Sequence, residues 1–203
     1  MKISALDRVL LLLTSLLAAY QIVVGINDLN TLPIIAYTIA FGVLLIATLL
    51  MNILGFDVLD SPAVVIAATV IPLSLSTGLV WEHIPAWQTG YLLFAILGFL
   101  AVLITRAFHV PGKVPTFVLA LVHGVAGMVI FLLPIVMVLQ GQAASGFALV
   151  GLGGALIGIG GLLLSFLKAG KPVLSREKIL RILPGLLLGT TACFVLGFYL
   201  AKL

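Results

Sequence analysis

His123 is the side chain within the long apolar runs of this chain that can titrate near neutral pH. An imidazole at that depth can bind a ligand, hold a metal or carry a proton. At 1.5 Å per residue it lies about 12 Å from the end of its run. Thr48 and Thr69 are expected at similar depths on two other helices. We therefore predict that His123, Thr69 and Thr48 are ligand-binding residues. The alternative is a neutral imidazole bonded to a neighbouring hydroxyl or carbonyl.

A second group of polar residues follows the third apolar run, from Trp81 to Thr89. Glu82 and His83 are adjacent there and could form a pH-sensitive contact or the entrance to a site. Tyr20 and Gln21 are expected near the same membrane face. Both tryptophans of the chain lie in this segment, and tryptophan is a common anchor at the membrane surface. The sequence leaves both interpretations open.

The remaining composition argues against catalysis. The chain has no His-Glu-x-x-His pair, no Gly-x-Ser-x-Gly elbow and no phosphate-binding loop. The single cysteine, Cys193, excludes an internal disulfide, and a zinc site would need three or four ligands. We therefore expect no enzymatic activity, no metal and no bound cofactor. A haem held by one histidine, or a quinone in an apolar slot, stays open as an alternative.

Long apolar runs must position these residues. Hydrophobic residues make up 63% of the 203 residues and charged residues 8%, and the mean hydropathy is +1.38. A spanning helix needs about 20 apolar residues, and the runs are too long for barrel strands. The sequence predicts an all-α, polytopic membrane protein with one domain over 1–203. Its seven helices are predicted at 9–25, 32–55, 61–80, 90–106, 115–139, 146–167 and 179–199.

The basic residues predict the orientation of these helices. Nine of the ten Lys and Arg residues fall in alternate gaps between the runs, and cytoplasmic loops are enriched in such residues. The N-terminus is therefore expected in the cytoplasm and the C-terminus, with Lys202, outside. The expected location is the plasma membrane of a prokaryote, and a nucleic-acid partner is not expected. The nine residues are Lys2, Arg8, Arg106, Lys113, Lys168, Lys171, Arg176, Lys178 and Arg181.

Glycines on the last helices predict close packing. Small residues let helices approach closely in lipid, where the hydrophobic effect contributes little. The sixth helix carries such a stripe and is predicted to be a central helix, forming a tight subbundle with the fifth and seventh. The predicted packing residues are Gly151, Gly154, Gly158 and Gly161 on the sixth helix and Gly185 and Gly189 on the seventh.

Prolines suggest an internal repeat. Pro72, Pro134 and Pro184 interrupt the third, fifth and seventh helices, where proline removes a backbone hydrogen bond. Shifting the chain so that Pro72 meets Pro184 places the first three helices over the last three. Such a three-plus-one-plus-three plan would put a site between the triplets. Any seven-helix chain orients its outer triplets alike, so the sequence leaves the repeat open.

Two functions fit these features. One is a carrier or channel for an uncharged or weakly polar small solute, since no buried charge is available to balance an ion. The other is a non-catalytic accessory subunit or assembly factor of a larger membrane complex, which could hold quinone, pigment, haem or lipid. The lipid bilayer is the expected partner, with a homo-oligomer or larger complex left open. Most small membrane proteins with several spanning helices transport a solute, and this favours the carrier over the accessory subunit.

The orientation can be tested by labelling single cysteines in a Cys193→Ser background. Gln142→Cys should react with a membrane-impermeant maleimide only from outside the cell, and Val173→Cys only from the cytoplasmic side in inverted vesicles. The reverse pattern would refute the orientation. Labelling of both positions from one side would refute the number of helices between them.

Overall fold

The computed structural model describes residues 3–26, 29–108, 110–168 and 173–201, without the side chains at 165, 166 and 168. Over these residues the chain forms helices and turns and no strand. Seven helices are long and apolar enough to cross a membrane, which confirms that prediction. They are α1 (Ala5–Val24), α2 (Thr31–Leu54), α3 (Pro62–His83), α4 (Gln88–Ala107), α5 (Val114–Leu139), α6 (Ala148–Lys168) and α7 (Arg176–Leu200). Outside the described residues lie Lys2, His109, Lys171 and Lys202.

The largest difference from the predicted boundaries is the start of α1. This helix begins at Ala5, four residues before the apolar run. Ser4 Oγ accepts a hydrogen bond from Asp7 N at 3.1 Å, and Asp7 Oδ2 accepts one from Ser4 N at 2.9 Å. This reciprocal capping box satisfies two backbone donors at the helix start. Hydropathy cannot detect such a turn because polar residues form it.

The long helices form a closed ring of six with one helix outside. Each helix of the ring packs against the next one in the order α1, α2, α3, α5, α6 and α7. The ring closes because α7 packs against α1. The helix α4 packs on the outside of α3 and α5. The prediction that α6 is a central helix is therefore wrong. The main neighbours of α6 among the described long helices are α5 and α7, and α6 lies between these two.

The ring gives the two helix triplets equivalent surroundings. The contact of α3 with α5 corresponds to the contact of α7 with α1, as two parallel repeats would require. Any ring of six helices that closes in this chain order would show the same correspondence, whether or not the triplets are repeats. The repeat therefore stays a prediction, although the fold is compatible with it.

Polar contacts show which helix ends share a face. At the end where α1 and α7 begin, Arg8 Nη1 donates to Asn52 O at 2.9 Å, and Asn52 Nδ2 donates to Arg8 O at 3.0 Å. Arg176 forms an ion pair of 2.7 Å with Asp60, in the turn between α2 and α3. We call this end the basic face and the other end the opposite face.

The core consists of three apolar clusters. The largest lies toward the opposite face and joins α1, α2, α3, α5, α6 and α7. A second cluster lies toward the basic face, and a third attaches α4 to the ring through Leu73, Ala95, Val102, Val122 and Ala126. The basic-face cluster consists of Leu11, Met51, Phe56, Leu180, Leu183 and Leu187.

Two glycines of the predicted stripe on α6 lie directly against α5. A Cβ at Gly151 would lie 2.7 Å from Phe131 O, and one at Gly154 would lie 2.8 Å from Ile130 Cγ2. Such distances are too short for real carbon atoms, so only glycine allows this approach. Nearer the basic face, however, Gly158 and Gly161 have nothing within 4 Å and are exposed.

The contact between α5 and α6 is thus closed in one half and open in the other. On α5, Gly124 and Gly127 likewise have nothing within 4 Å. The packing prediction for Gly158 and Gly161 is therefore wrong, because the two helices do not approach closely there. We call these four glycines the open half of the α5–α6 contact.

The close approach of α6 to α7 uses other glycines than those predicted. A Cβ at Gly153 would lie 2.7 Å from the Phe194 ring, and one at Gly197 would lie 2.7 Å from Val150 N. Gly189 is at an ordinary distance, with its nearest neighbour at 3.8 Å, and Gly185 has nothing within 4 Å. The prediction for Gly185 is wrong because this residue is exposed and no described atom lies close enough to pack against it.

Two alanine substitutions on one helix test this packing. Gly154→Ala should lower the free energy of unfolding by about 1–3 kcal/mol, as expected for overpacking. Gly158→Ala should leave it unchanged or raise it by up to about 1 kcal/mol, since alanine favours helix formation. Reversible unfolding in mixed micelles would measure both. Equal effects at the two positions would contradict the described contact between α5 and α6.

Candidate functional site

Thr48 is fully buried and bonds to a neighbouring helix. Its Oγ1 lies 2.8 Å from Ser15 Oγ on α1. Each hydroxyl also lies within 2.9 Å of a carbonyl in its own helix, Leu44 O and Leu11 O respectively. A hydroxyl has one proton, so one group donates across the helix pair while the other donates to its own helix. This bond joins α1 to α2.

Thr69 and His123 bond within their own helices. Thr69 Oγ1 donates to Val65 O at 2.8 Å, and the half-buried His123 has Nδ1 3.1 Å from Leu119 O. Because a carbonyl only accepts, Nδ1 carries the proton, and Nε2 of a neutral ring is an acceptor. No hydrogen bond in the described part of the chain joins Thr48, Thr69 and His123. The structure therefore does not bring the three predicted residues into one bonded layer.

Gln21, near the end of α1, has an unusual environment. Its side chain is only 6% exposed, although it is polar. Nε2 donates to Gly25 O at 3.2 Å. Since the nitrogen must point at this carbonyl, the orientation of the amide is fixed, and no described residue donates to Oε1. The sequence placed Gln21 near this face but did not assign it to a site. The signal in the sequence that could have indicated a site was the polar amide of Gln21 within an otherwise apolar part of α1.

Two clefts meet at Gln21, one on each side of α1. The cleft between α1 and α2 has room for about one water molecule and is also lined by Tyr37 and Phe41. The cleft between α1 and α7 is of the same size and is also lined by Phe198 and Tyr199. Both reach Gly25, whose φ of 62° ends α1 and which has no side chain to fill the space. The end of α1 is therefore loosely packed on both sides.

An aromatic cluster adjoins the clefts at the opposite face. The Phe198 ring lies 4.8 Å from Tyr37, 6.4 Å from Phe41 and 6.4 Å from Phe147, measured between ring centroids. Such separations are typical of favourable aromatic pairs. A Cβ at Gly78 would lie 2.6 Å from Tyr37 Cε1, so the Tyr37 ring packs directly on the α3 backbone. These four rings fill the space between α2, α7 and the start of α6, and the two clefts beside α1 adjoin them.

The two polar residues predicted at this face adjoin the aromatic cluster. The His83 ring lies 5.2 Å from the Phe147 ring. Glu82 Oε2 accepts a long hydrogen bond of 3.4 Å from Asn30 Nδ2 at the start of α2. Glu82 and His83 thus join the end of α3 to two other elements.

The remaining candidates for a site are groups of metal-ligating side chains and buried polar atoms without a partner. No group of three His, Cys, Asp or Glu residues lies close enough to hold an ion within the part of the chain that the structure describes. Three buried polar atoms have no hydrogen-bond partner there: Tyr91 Oη, Arg106 Nε and Thr190 Oγ1. Tyr91 and Arg106 lie near opposite ends of α4 and Thr190 lies on α7, so these atoms do not converge on one site.

Two threonine substitutions test the bond between α1 and α2. Thr48→Val should lower the free energy of unfolding by about 0.6–1.7 kcal/mol, as measured for hydrogen bonds between membrane helices. Thr69→Val should cost less than about 0.5 kcal/mol, because the lost bond lies within one helix. Thermal unfolding in detergent would measure both. A larger loss for Thr69→Val would refute this assignment.

No protein family model, no curated protein and no solved structure matches the chain. The geometry and chemistry of these residues are therefore the evidence from which a function can be proposed.

Proposed function

We propose that the protein carries a small, uncharged or weakly polar solute across a membrane. The observation that supports this is the difference between the two ends of the six-helix ring. At the opposite face, two clefts reach the buried Gln21 amide. At the basic face, apolar side chains and an ion pair close the ring. A carrier needs a site that is accessible from one side while the other is closed.

The ion pair at the basic face contributes little to its closure. Arg176 and Asp60 join the start of α7 to the turn between α2 and α3, and their side chains are 52% and 57% exposed. Exposed ion pairs of this kind contribute about 0–1 kcal/mol. The apolar cluster beneath the pair contains no hydrogen bond between side chains. Separation of α7 from this turn would break this weak ion pair and would also uncover the buried Phe56.

The buried groups favour a neutral solute. Asp7 is the one buried charged residue in the described ranges, and the capping box at the start of α1 already uses it. The other buried polar groups are hydroxyls and an amide. A charged solute would have no partner to offset its desolvation. Thr48, Thr69 and His123 are our candidate residues along the path.

The proposed setting is the plasma membrane of a prokaryote, with the basic face in the cytoplasm. The described cations at that face include Arg8, Arg106, Lys113 and Arg176, and the bias of such residues toward the cytoplasm supports this orientation.

Cross-linking at the basic face tests the carrier. In a Cys193→Ser background, Asp60→Cys with Arg176→Cys would be joined by a cleavable bis-maleimide in proteoliposomes. The untreated protein should speed re-swelling in glycerol or urea over protein-free liposomes. The cross-link should abolish this acceleration because it holds α7 against the turn, and reduction of the linker should restore it.

A matched control uses the ion pair within α7. Arg181 bonds Glu177 at 3.0 Å on the same helix, so Glu177→Cys with Arg181→Cys can be cross-linked without joining two helices. This control should retain the flux. If neither solute moves faster than in protein-free liposomes, or if both cross-links act equally, the proposal is refuted.

A second candidate function is that of an accessory subunit in a larger membrane complex. The open half of the α5–α6 contact favours it, since exposed glycines allow another helix to approach. Gentle extraction from the native membrane, followed by intact mass and an absorption spectrum, distinguishes the two. A stoichiometric partner or a pigment band would favour the subunit, and a colourless monomer or homo-oligomer would favour the carrier.

A further inference from the structure

We propose that the open half of the α5–α6 contact binds one anionic phospholipid from the leaflet at the basic face. The phosphate of this lipid would meet Lys113 at the start of α5, and one acyl chain would lie over Gly124, Gly127, Gly158 and Gly161. This inference does not depend on the carrier function, because it concerns a part of the ring that is separate from the clefts at Gln21.

The groove exists because α5 and α6 meet in one half of their length and separate in the other. They touch where Gly154 lies against Ile130. Toward the basic face, a Cβ added at any of the four glycines of the open half would meet no described atom within 4 Å. Beside these glycines, the side chains of Leu121, Met128 and Leu162 are mostly exposed. Glycines thus form the floor of an apolar groove, and larger side chains form its edges.

The length of the groove matches one leaflet of the membrane. Phe117 N donates to Lys113 O at 3.0 Å, so Lys113 continues the register of α5. At 1.5 Å per residue, Gly127 lies about 21 Å further along this helix. The distance from the headgroups to the middle of a bilayer is about 20–22 Å, half of its full thickness. A second spanning helix would also have to pass the closed half, whereas an acyl chain ends where α5 and α6 meet.

The charge near this groove favours an anionic headgroup. Residues 83–176 include α4, α5 and α6 and contain no Asp or Glu. In the described part of the chain neither Arg106 nor Lys113 forms an ion pair, and Arg106 Nε is buried without a hydrogen-bond partner. The basic residues of this stretch are Arg106, Lys113, Lys168, Lys171 and Arg176.

The acids of the basic face belong to other parts of the ring. Asp7 caps α1, Asp60 pairs with α7, and Glu177 bonds within α7. Asp57 lies in the turn between α2 and α3 and belongs to neither wall of the groove. A phosphate at Lys113 would therefore meet cations without a carboxylate from α5 or α6. Basic pockets between spanning helices bind anionic headgroups in this way, and each cation near the surface strengthens binding about fivefold.

Native mass spectrometry of the protein released from detergent micelles can count bound lipids. Phosphatidylglycerol, which has one net negative charge, would be compared with phosphatidylcholine, which has the same acyl chains and no net charge. The wild type should bind its first phosphatidylglycerol about fivefold or more tightly than phosphatidylcholine, and Lys113→Gln should lower this preference about fivefold. Gly158→Leu should weaken binding of the first lipid about threefold or more, because leucine fills the groove and removes contacts with the acyl chain.

Two matched controls on α7 make the same changes away from the groove. Lys178 is exposed near the start of α7, so Lys178→Gln removes a charge at the same face. Gly185 is exposed and has nothing within 4 Å, as is true of Gly158. Both glycines lie about 14–15 Å from the basic end of their helices. Lys178→Gln and Gly185→Leu should therefore leave the first lipid and its preference unchanged.

Four outcomes would overturn the inference. These are equal binding of the two lipids, an equal loss in Lys113→Gln and Lys178→Gln, unchanged binding in Gly158→Leu, and an equal loss in Gly158→Leu and Gly185→Leu. A second copy or another protein that is lost in Gly158→Leu, while lipid binding persists, would also overturn it and would assign the groove to a helix. If Gly158→Leu does not fold, Gly161→Leu replaces it with the same expected loss. Solute flux in proteoliposomes tests the carrier separately.

Discussion

Lipid supplies no hydrogen bonds, and this constraint governs nearly every polar side chain in the bundle. Thr14, Thr69, Ser76 and Thr191 each donate to a carbonyl one turn earlier in their own helix. Each group is thereby satisfied before the helices meet, and it says little about function. The informative groups are those that local bonding does not satisfy. One hydroxyl of the Thr48–Ser15 pair donates to the other across two helices, and Gln21 Oε1 receives no hydrogen bond from a described residue.

The same environment determines how the ring holds together. Dispersion and close backbone contact must replace the hydrophobic effect between helices, so glycine contributes most where two backbones meet. Gly151 and Gly154 bring α6 against α5, while Gly153 and Gly197 serve the contact of α6 with α7. Aromatic rings fill the wider space at the opposite face. The ring is therefore tightly joined on both sides of α6 and more loosely joined around the end of α1.

Much of the fold could be predicted from the sequence, because apolar length identifies a spanning helix directly. The start of α1 could not, since Ser4 and Asp7 form a cap that hydropathy does not detect. The glycine stripe on α6 was predicted only in part. Spacing shows which residues share a helix side, but the crossing angle decides how far a contact extends, and the contact is lost before Gly158. The bonds of the candidate site residues depend on which helices are neighbours. Thr48 pairs with Ser15 because α1 lies beside α2, and the spacing of residues along the chain does not show which helices pack together.

The ion pair between Arg176 and Asp60 also makes the basic face sensitive to dissolved salt. Both side chains meet water over half their surface, so mobile ions can screen their attraction. The screening length falls from about 8 Å at physiological ionic strength to about 3 Å at 1 M. The described side chains that line the clefts at the other end are neutral. The attachment of α7 to the turn between α2 and α3 thus depends on the electrolyte at the membrane surface beside it.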